Sequence, residues 1–133
     1  METIERCAEG TLIVHSDREE TVPLGLKQVL NSLLLKELTT YQGRLDALKV
    51  KTGWSRNVPL FIDEQCCLFV TTSHRDSAAV YINCVEIVSI RKYDEATSEI
   101  RFKSLNTRRI FVPYAQLKRQ YEKACRLLEM LLE

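Results

Sequence analysis

The segment spanning residues 99–112 constrains the fold more than any other part of the chain. Apolar and polar side chains alternate on both sides of Leu105-Asn106-Thr107, a triplet that suits a three-residue loop with Asn106 in a left-handed backbone conformation. The pattern predicts an antiparallel hairpin, because side chains alternate between the two faces of a strand. One face would carry Ile100, Phe102, Ile110 and Val112, and the other Arg101, Lys103, Arg109 and Phe111. The basic face is either the solvated side of a half-buried sheet or a surface for an anionic partner.

Positive charge is concentrated in two parts of the chain. The protein has a formal net charge of +1, but residues 24–63 hold six basic and three acidic side chains, and residues 101–133 hold eight basic and three acidic ones. Residues 1–23 and 64–100 are acidic by comparison. Because local charge decides where a polyanion binds, the two basic blocks are the candidate sites.

The composition predicts an ordinary globular protein with one domain over residues 1–133. Five cysteines, an odd number without a C-x-x-C pair, favour free thiols. The acidic N-terminus does not have the pattern of a secretory signal peptide. Together these features favour a reducing, cytoplasmic compartment. No apolar run is long enough to predict a membrane span.

Helices are predicted in the first half of the chain and at its end. Residues 24–38 place apolar side chains at the spacing of one buried helical stripe. Thr39 and Thr40 are expected to break this helix and cap a second one, which would end at Gly53. A third helix is expected from about Tyr114 to the end of the chain.

Between the second and third helices the hydrophobic period becomes that of strands. Besides the hairpin, strands are predicted there at residues 58–62, 66–71, 78–83 and 86–92, with residues 94–97 as a connecting turn. A further strand is predicted before the first helix at residues 11–15, followed by a loop over residues 16–23. The predicted fold class is α+β: an antiparallel, curved sheet of about six to seven strands with N-terminal helices and a C-terminal capping helix. Periodicity leaves the strand order open.

The sequence gives no support to enzymatic chemistry. His15 and His74, the only histidines, stand far apart, and His74 is expected in a loop. A zinc site needs clustered His or Cys ligands, and no such cluster occurs. The glycine-rich phosphate-binding motifs and the G-x-S-x-G motif are absent as well. We therefore expect no enzyme, no metal site, no cofactor and no small-molecule substrate.

The first basic block contains Arg44, Lys49, Lys51 and Arg56, together with the only tryptophan, Trp54. Basic side chains beside an exposed aromatic ring suit a nucleic acid, because the cations neutralise phosphates and a flat ring stacks on bases or wedges between them. The alternative, that Trp54 packs into the core between a helix and the sheet, stays open.

Several stretches, in a fixed order, point to a known family. They are Thr39-Thr40-Tyr41-Gln42-Gly43-Arg44, Val58-Pro59-Leu60-Phe61-Ile62-Asp63, Leu68-Phe69-Val70-Thr71-Thr72-Ser73 and Val80-Tyr81-Ile82-Asn83, followed by Tyr114, Leu117 and Gln120. In these stretches the chain resembles the competence transcription factor (ComK-like) family. The resemblance is strongest over residues 39–130.

The resemblance implies a cytoplasmic transcriptional activator of genes for DNA uptake. Such a protein would bind paired A/T-rich boxes in double-stranded DNA as a homodimer or higher homo-oligomer, largely through the minor groove and without a helix-turn-helix. The residues expected to contact DNA are Arg44, Lys49, Lys51, Arg56, Arg101, Lys103, Arg108 and Arg109. The alternative is a relative that kept the fold but lost DNA binding, and that acts as a protein-interaction module through its sheet edge or C-terminal helix.

Overall fold

The computed structural model describes residues 1–73 and 75–132, and the expected loop position of His74 lies outside them. The strands are β1 (Thr3–Cys7), β2 (Gly10–Val14), β3 (Glu19–Val22), β4 (Leu60–Asp63), β5 (Cys66–Val70), β6 (Val80–Asn83), β7 (Ile87–Lys92), β8 (Ser98–Phe102) and β9 (Thr107–Ile110). The helices are α1 (Leu26–Leu35), α2 (Tyr41–Thr52) and α3 (Tyr114–Leu132), with a 3₁₀ turn at Cys84–Glu86. The predicted α+β class is confirmed.

The strands form two antiparallel sheets, where the sequence predicted one. Six strands form the large sheet, in the order β3-β2-β1-β6-β5-β4. The small sheet has the order β7-β8-β9. Every residue of β5 and β6 is buried, so both faces of these strands are covered. Helix α3 packs against β5 and β7 and therefore joins the two sheets, whereas α1 packs against β1 and β2.

The extra strands belong to the N-terminal region, where the burial signal is weak. The strand predicted at residues 11–15 is β2, but the alternating polar strand β1 was missed. The prediction of a loop over residues 16–23 is wrong for β3, whose side chains are mostly exposed. Strand β3 pairs with β2 at the edge of the large sheet, so main-chain hydrogen bonds rather than apolar burial hold it there.

The β8–β9 hairpin has the two faces predicted for it. Its apolar set, Ile100, Phe102, Ile110 and Val112, is buried, and its basic set with Phe111 is exposed. The turn differs, because residues 103–106 connect the strands and Leu105, not Asn106, has the left-handed conformation, with φ 76°. Asn106 is held by other parts of the fold: its side-chain amide donates to the Ser16 carbonyl at 2.9 Å and to Glu2 at 3.3 Å.

The helices agree with the prediction except at the ends of the first. Helix α1 is shorter than residues 24–38, since Gly25 caps its start and Leu38 lies past its end with φ 60°. Helix α2 is confirmed with both caps: the Thr40 hydroxyl accepts from the Gly43 amide at 3.0 Å, and Gly53 has φ 75°. Within residues 1–73 and 75–132, no helix combines the length and apolar character needed to cross a membrane.

Candidate nucleic-acid interface

The exposed side of the small sheet carries three arginines grouped around one carboxylate. Arg101 and Glu99 are two residues apart on β8, and the register places Arg91 and Arg109 opposite Glu99. The Glu99 carboxylate lies 2.5 Å from Arg91 Nη2 and 3.7 Å from Arg109 Nε. These four residues are called the sheet face below. Three arginines outweigh one glutamate, so the sheet face is a net positive surface on a hydrogen-bonded sheet.

Aromatic side chains flank the sheet face. The guanidinium carbon of Arg109 lies 3.8 Å from the centre of the Tyr93 ring, a close cation–π contact that fixes the direction of Arg109. Phe111 follows β9 and is 88% exposed. Lys103 stands past the end of β8 with its side chain in solvent. Among the described residues neither Arg101 nor Lys103 forms an ion pair, so both are available to an anion.

Arg108 lies apart from the other predicted residues of the hairpin. Its cross-strand partner is Ile100, whose side chain belongs to the buried face. The Arg108 guanidinium donates to Glu5 Oε1 at 2.7 Å and to Thr3 Oγ1 at 2.9 Å. It lines a cleft of about 530 Å³ between the two sheets, together with Glu2, Glu5, Asp17 and Glu19. Arg108 therefore ties β9 to β1 within an acidic environment.

The first basic block is divided between two surroundings. The Arg44 guanidinium lies 5.8 Å from the Phe61 ring centre, and among the described residues its buried Nε has no hydrogen-bond partner. Lys49 and Lys51 lie in the last turn of α2, where cations are favoured by the helix dipole. Arg56 is exposed in the segment that follows the helix. Arg44 is thus half-buried against β4, and the other three lie at the end of α2.

Trp54 packs against α3. Its ring is half-buried and lies 5.0 Å from Lys123 Nζ and 5.8 Å from the guanidinium carbon of Arg126, both measured to the ring centre. The Lys123 ammonium also donates to the Arg56 carbonyl at 2.6 Å. Desolvation, with a further contribution from Arg126, lowers the pKa of Lys123. We call Trp54, Lys123 and Arg126 the Trp54 cluster.

Three basic residues next to the predicted sites were not identified from the sequence. Arg91 joins the sheet face only through the β7–β8 register, which periodicity does not provide. Lys123 and Arg126 follow the helical period of α3, where they read as an ordinary solvated helix face. Alternation along β7 could have identified Arg91, because Arg91 shares a strand face with the polar Ser89. The packing of Trp54 against α3 has no comparable signal in the sequence.

A metal site or a reactive thiol would require particular arrangements of the His, Cys, Asp and Glu side chains. Within the described part of the chain, no three His, Cys, Asp or Glu side chains are grouped so that they could hold a metal ion. The five cysteines are free, as predicted, and Cys66, Cys67 and Cys84 are buried. Burial, with the nearby charge of Asp63, raises the pKa of Cys66 to about 12, so this thiol is protonated at neutral pH.

The fold and the surface together define an α+β protein that presents arginines on an exposed antiparallel sheet. The description ComK protein belongs to the family model that matches residues 4–133. The chain therefore belongs to the ComK family, a family of competence-related transcription factors rather than of enzymes. The family predicted from the sequence is confirmed, and the match extends to strands before residue 39. No curated protein and no solved structure matches the chain.

Proposed function

We propose that the protein is a DNA-binding transcriptional regulator of the competence type, which acts in the cytoplasm on A/T-rich double-stranded DNA. The observation that carries the proposal is the sheet face, where Arg101 and the neighbouring Lys103 are exposed and form no ion pair among the described residues. Exposed cations of this kind replace the counterions of phosphates, and their release drives binding. No catalytic group or cofactor enters the proposal.

The side chains of the sheet face favour the minor groove. A/T-rich tracts have a narrow minor groove with enhanced negative potential, and arginine is the side chain that such grooves attract. Arg109 is directed by its contact with Tyr93 at 3.8 Å, and Phe111 beside it is exposed. Minor-groove proteins often insert an apolar side chain between base steps, a role that Phe111 is placed to fill.

The second part of the proposed interface is the end of α2. Lys49, Lys51 and Arg56 supply phosphate contacts, and Arg44 supports this region from its position against Phe61. A net charge of +1 is small for a protein that binds a polyanion tightly. We therefore propose a homodimer or a higher homo-oligomer, since copies that bind side by side combine their basic surfaces while each stays nearly neutral.

A second candidate function is a protein-interaction module that does not bind DNA. One observation favours it: Glu99 lies in the middle of the sheet face and pairs with Arg91 at 2.5 Å, so part of the positive charge is already compensated. Lys92 is likewise paired with Glu95 at 2.8 Å. The Lys92–Glu95 pair is exposed and therefore weak, and a phosphate competes with it readily. In the Arg91–Glu99 pair the arginine is exposed, but the Glu99 side chain is mostly buried.

The experiment that tests the proposal is a salt titration of DNA binding. The full chain is titrated against a duplex with two spaced A/T boxes and against a G/C-rich duplex of equal length, by fluorescence anisotropy at several salt concentrations. We expect tighter binding to the A/T duplex and a linear fall of log K with log salt concentration. Equal affinities would contradict the A/T preference. No binding at low salt would contradict DNA binding and favour the interaction module.

A further inference from the structure

The Trp54 cluster combines two cations on one aromatic ring. Lys123 and Arg126 are three residues apart on α3 and therefore project from the same side of the helix. Both approach the Trp54 ring, at 5.0 Å and 5.8 Å from its centre. The ring can attract both cations, but it carries no charge that would compensate them. Two like charges are thus held close together.

Neither Lys123 nor Arg126 forms an ion pair with a carboxylate among the described residues. Over residues 1–73 and 75–132, the ion pairs involve other basic side chains, and the one recorded on α3 joins Lys118 to Glu122 at 3.9 Å. The hydrogen bond that Lys123 makes goes to the neutral carbonyl of Arg56. Arg56, in the segment that follows α2, has an exposed side chain and adds a third positive charge to this region.

The segment that holds Trp54 has a defined conformation. Gly53 ends α2 in the left-handed conformation, and the Trp54 amide then donates to Thr52 Oγ1 at 3.1 Å. The bond from Lys123 to the Arg56 carbonyl, at 2.6 Å, fastens the segment to α3. The cations are therefore positioned before any ligand arrives, which reduces the entropy lost on binding.

We propose that Trp54, Lys123 and Arg126 form a phosphate-binding site, with Trp54 orienting the two cations and Arg56 adding a peripheral contact. A phosphate suits the site because its several oxygens accept hydrogen bonds from an ammonium and a guanidinium at once. An anion would also remove the repulsion between the two cations. This agrees with the lowered pKa of Lys123, whose charged form is disfavoured by desolvation and by Arg126.

The proposal does not depend on the sheet face. The Trp54 cluster lies on α3 and on the segment after α2, whereas the sheet face lies on β7, β8 and β9. The phosphate can come from a DNA strand or from a small phosphate in solution, and the chemistry of recognition is the same. The test therefore has one arm for each source.

Intrinsic fluorescence measures this site directly, because Trp54 is the only tryptophan. The full chain is titrated at constant ionic strength with the A/T duplex in one arm, and with inorganic phosphate and pyrophosphate in the other. We expect a saturable change in Trp54 emission. A change with duplex assigns the site to nucleic acid, and a change with the small phosphates alone assigns it to a free phosphate. Unchanged emission in both arms would overturn the proposal.

Variants separate the site from a general charge effect. Arg126→Gln is the main variant, because the Arg126 side chain has no hydrogen bond within the described part of the chain, and its loss leaves the contact between Lys123 and the Arg56 carbonyl in place. We expect it to weaken ligand binding about tenfold and to lower the salt slope for duplex by about one. Lys123→Met should act in the same direction.

Lys118→Met is the matched control, since it removes one positive charge from the same helix at a residue that is paired with Glu122. Circular dichroism checks that each variant is folded. If Lys118→Met and Arg126→Gln weakened binding equally, the effect would come from the charge of α3 and the proposed site would be wrong. The failure of this test would leave DNA binding by the sheet face untouched, because anisotropy reports that separately.

Discussion

The sheet face and the Trp54 cluster are both basic surfaces with an aromatic ring, but they handle their charge differently. On the sheet face, Glu99 lies within reach of two arginines, and Tyr93 stacks against Arg109. In the Trp54 cluster, the ring is the shared partner of Lys123 and Arg126, and neither of them forms an ion pair among the described residues. The sheet face thus orients its arginines partly through the Glu99 carboxylate. The Trp54 cluster orients its cations through neutral groups, the Trp54 ring and the Arg56 carbonyl.

This difference shows why the sum of charges along a segment is a poor measure of anion binding. Residues 101–133 have a large positive excess, yet one of their arginines, Arg108, faces the acidic cleft and another, Arg109, lies beside Glu99. What matters is which cations form no ion pair with a carboxylate among residues 1–73 and 75–132 of the folded protein. Arg101 and Lys103 meet that criterion on one surface, and Lys123 and Arg126 meet it on the other.

The largest expected effect belongs to Arg101 and Lys103, which form no ion pair with any described residue. The double variant Arg101→Glu/Lys103→Glu should weaken binding to both the A/T and the G/C duplex about 100-fold, because two phosphate contacts become repulsive. The salt slope should fall by about two. Salt titrations by anisotropy measure both quantities. Unchanged binding would show that the small sheet does not contact DNA.

Arg108 provides the internal contrast, as a basic residue of the same hairpin that serves the fold. Arg108→Met leaves Glu5 half-buried without its partner and should lower the free energy of unfolding by about 1.5 kcal/mol. The salt slope of DNA binding should stay as in the unaltered protein, because Arg108 faces the cleft. Urea denaturation measures the first quantity and anisotropy the second. A lowered slope with unchanged stability would reverse this assignment and place Arg108 at the DNA.

How far the sequence predicts which side chains serve the fold and which are exposed differs from one helix or strand to the next. The faces of the hairpin follow from alternation, so the burial of Ile100 and the exposure of Arg101 are predictable. The caps of α2 are predictable as well, because Thr40 and Gly53 act within one turn of their own position. Strand β3 is not predictable in this way, since an exposed edge strand has no apolar period to detect.

The candidate sites are less predictable than the fold, because they depend on contacts between distant parts of the chain. Arg108 is assigned to the fold only when β9 is seen beside Glu5, far away in the sequence. The Trp54 cluster likewise requires the packing of α3 on the segment after α2. Neither pattern nor spacing contains these contacts, although the residue types were visible from the start.

Gly53 connects the conformation of the chain to the Trp54 cluster. An added Cβ would meet no atom within 4 Å, so the effect of Gly53→Ala comes from the left-handed backbone alone. We expect a loss of about 1 kcal/mol in the free energy of unfolding. Gly53→Asn is the matched variant and should lose less, because asparagine tolerates this conformation. Urea denaturation measures both, and equal losses would point to a cause other than the backbone.

The smallest expected effect comes from removing the carboxylate that distinguishes the sheet face from the Trp54 cluster. Glu99→Gln keeps the shape of the side chain but removes the internal anion of the sheet face, so Arg91 and Arg109 become unpaired. We expect DNA affinity to rise about threefold at low salt, with a steeper salt slope, because more cations then face the phosphates.

Glu95→Gln is the control: Glu95 is highly exposed, pairs with Lys92 outside the sheet face, and should change affinity less. Anisotropy titrations compare the two variants. A fall in affinity for Glu99→Gln would mean that the carboxylate is needed to direct the arginines, and orientation would then outweigh net charge on this surface.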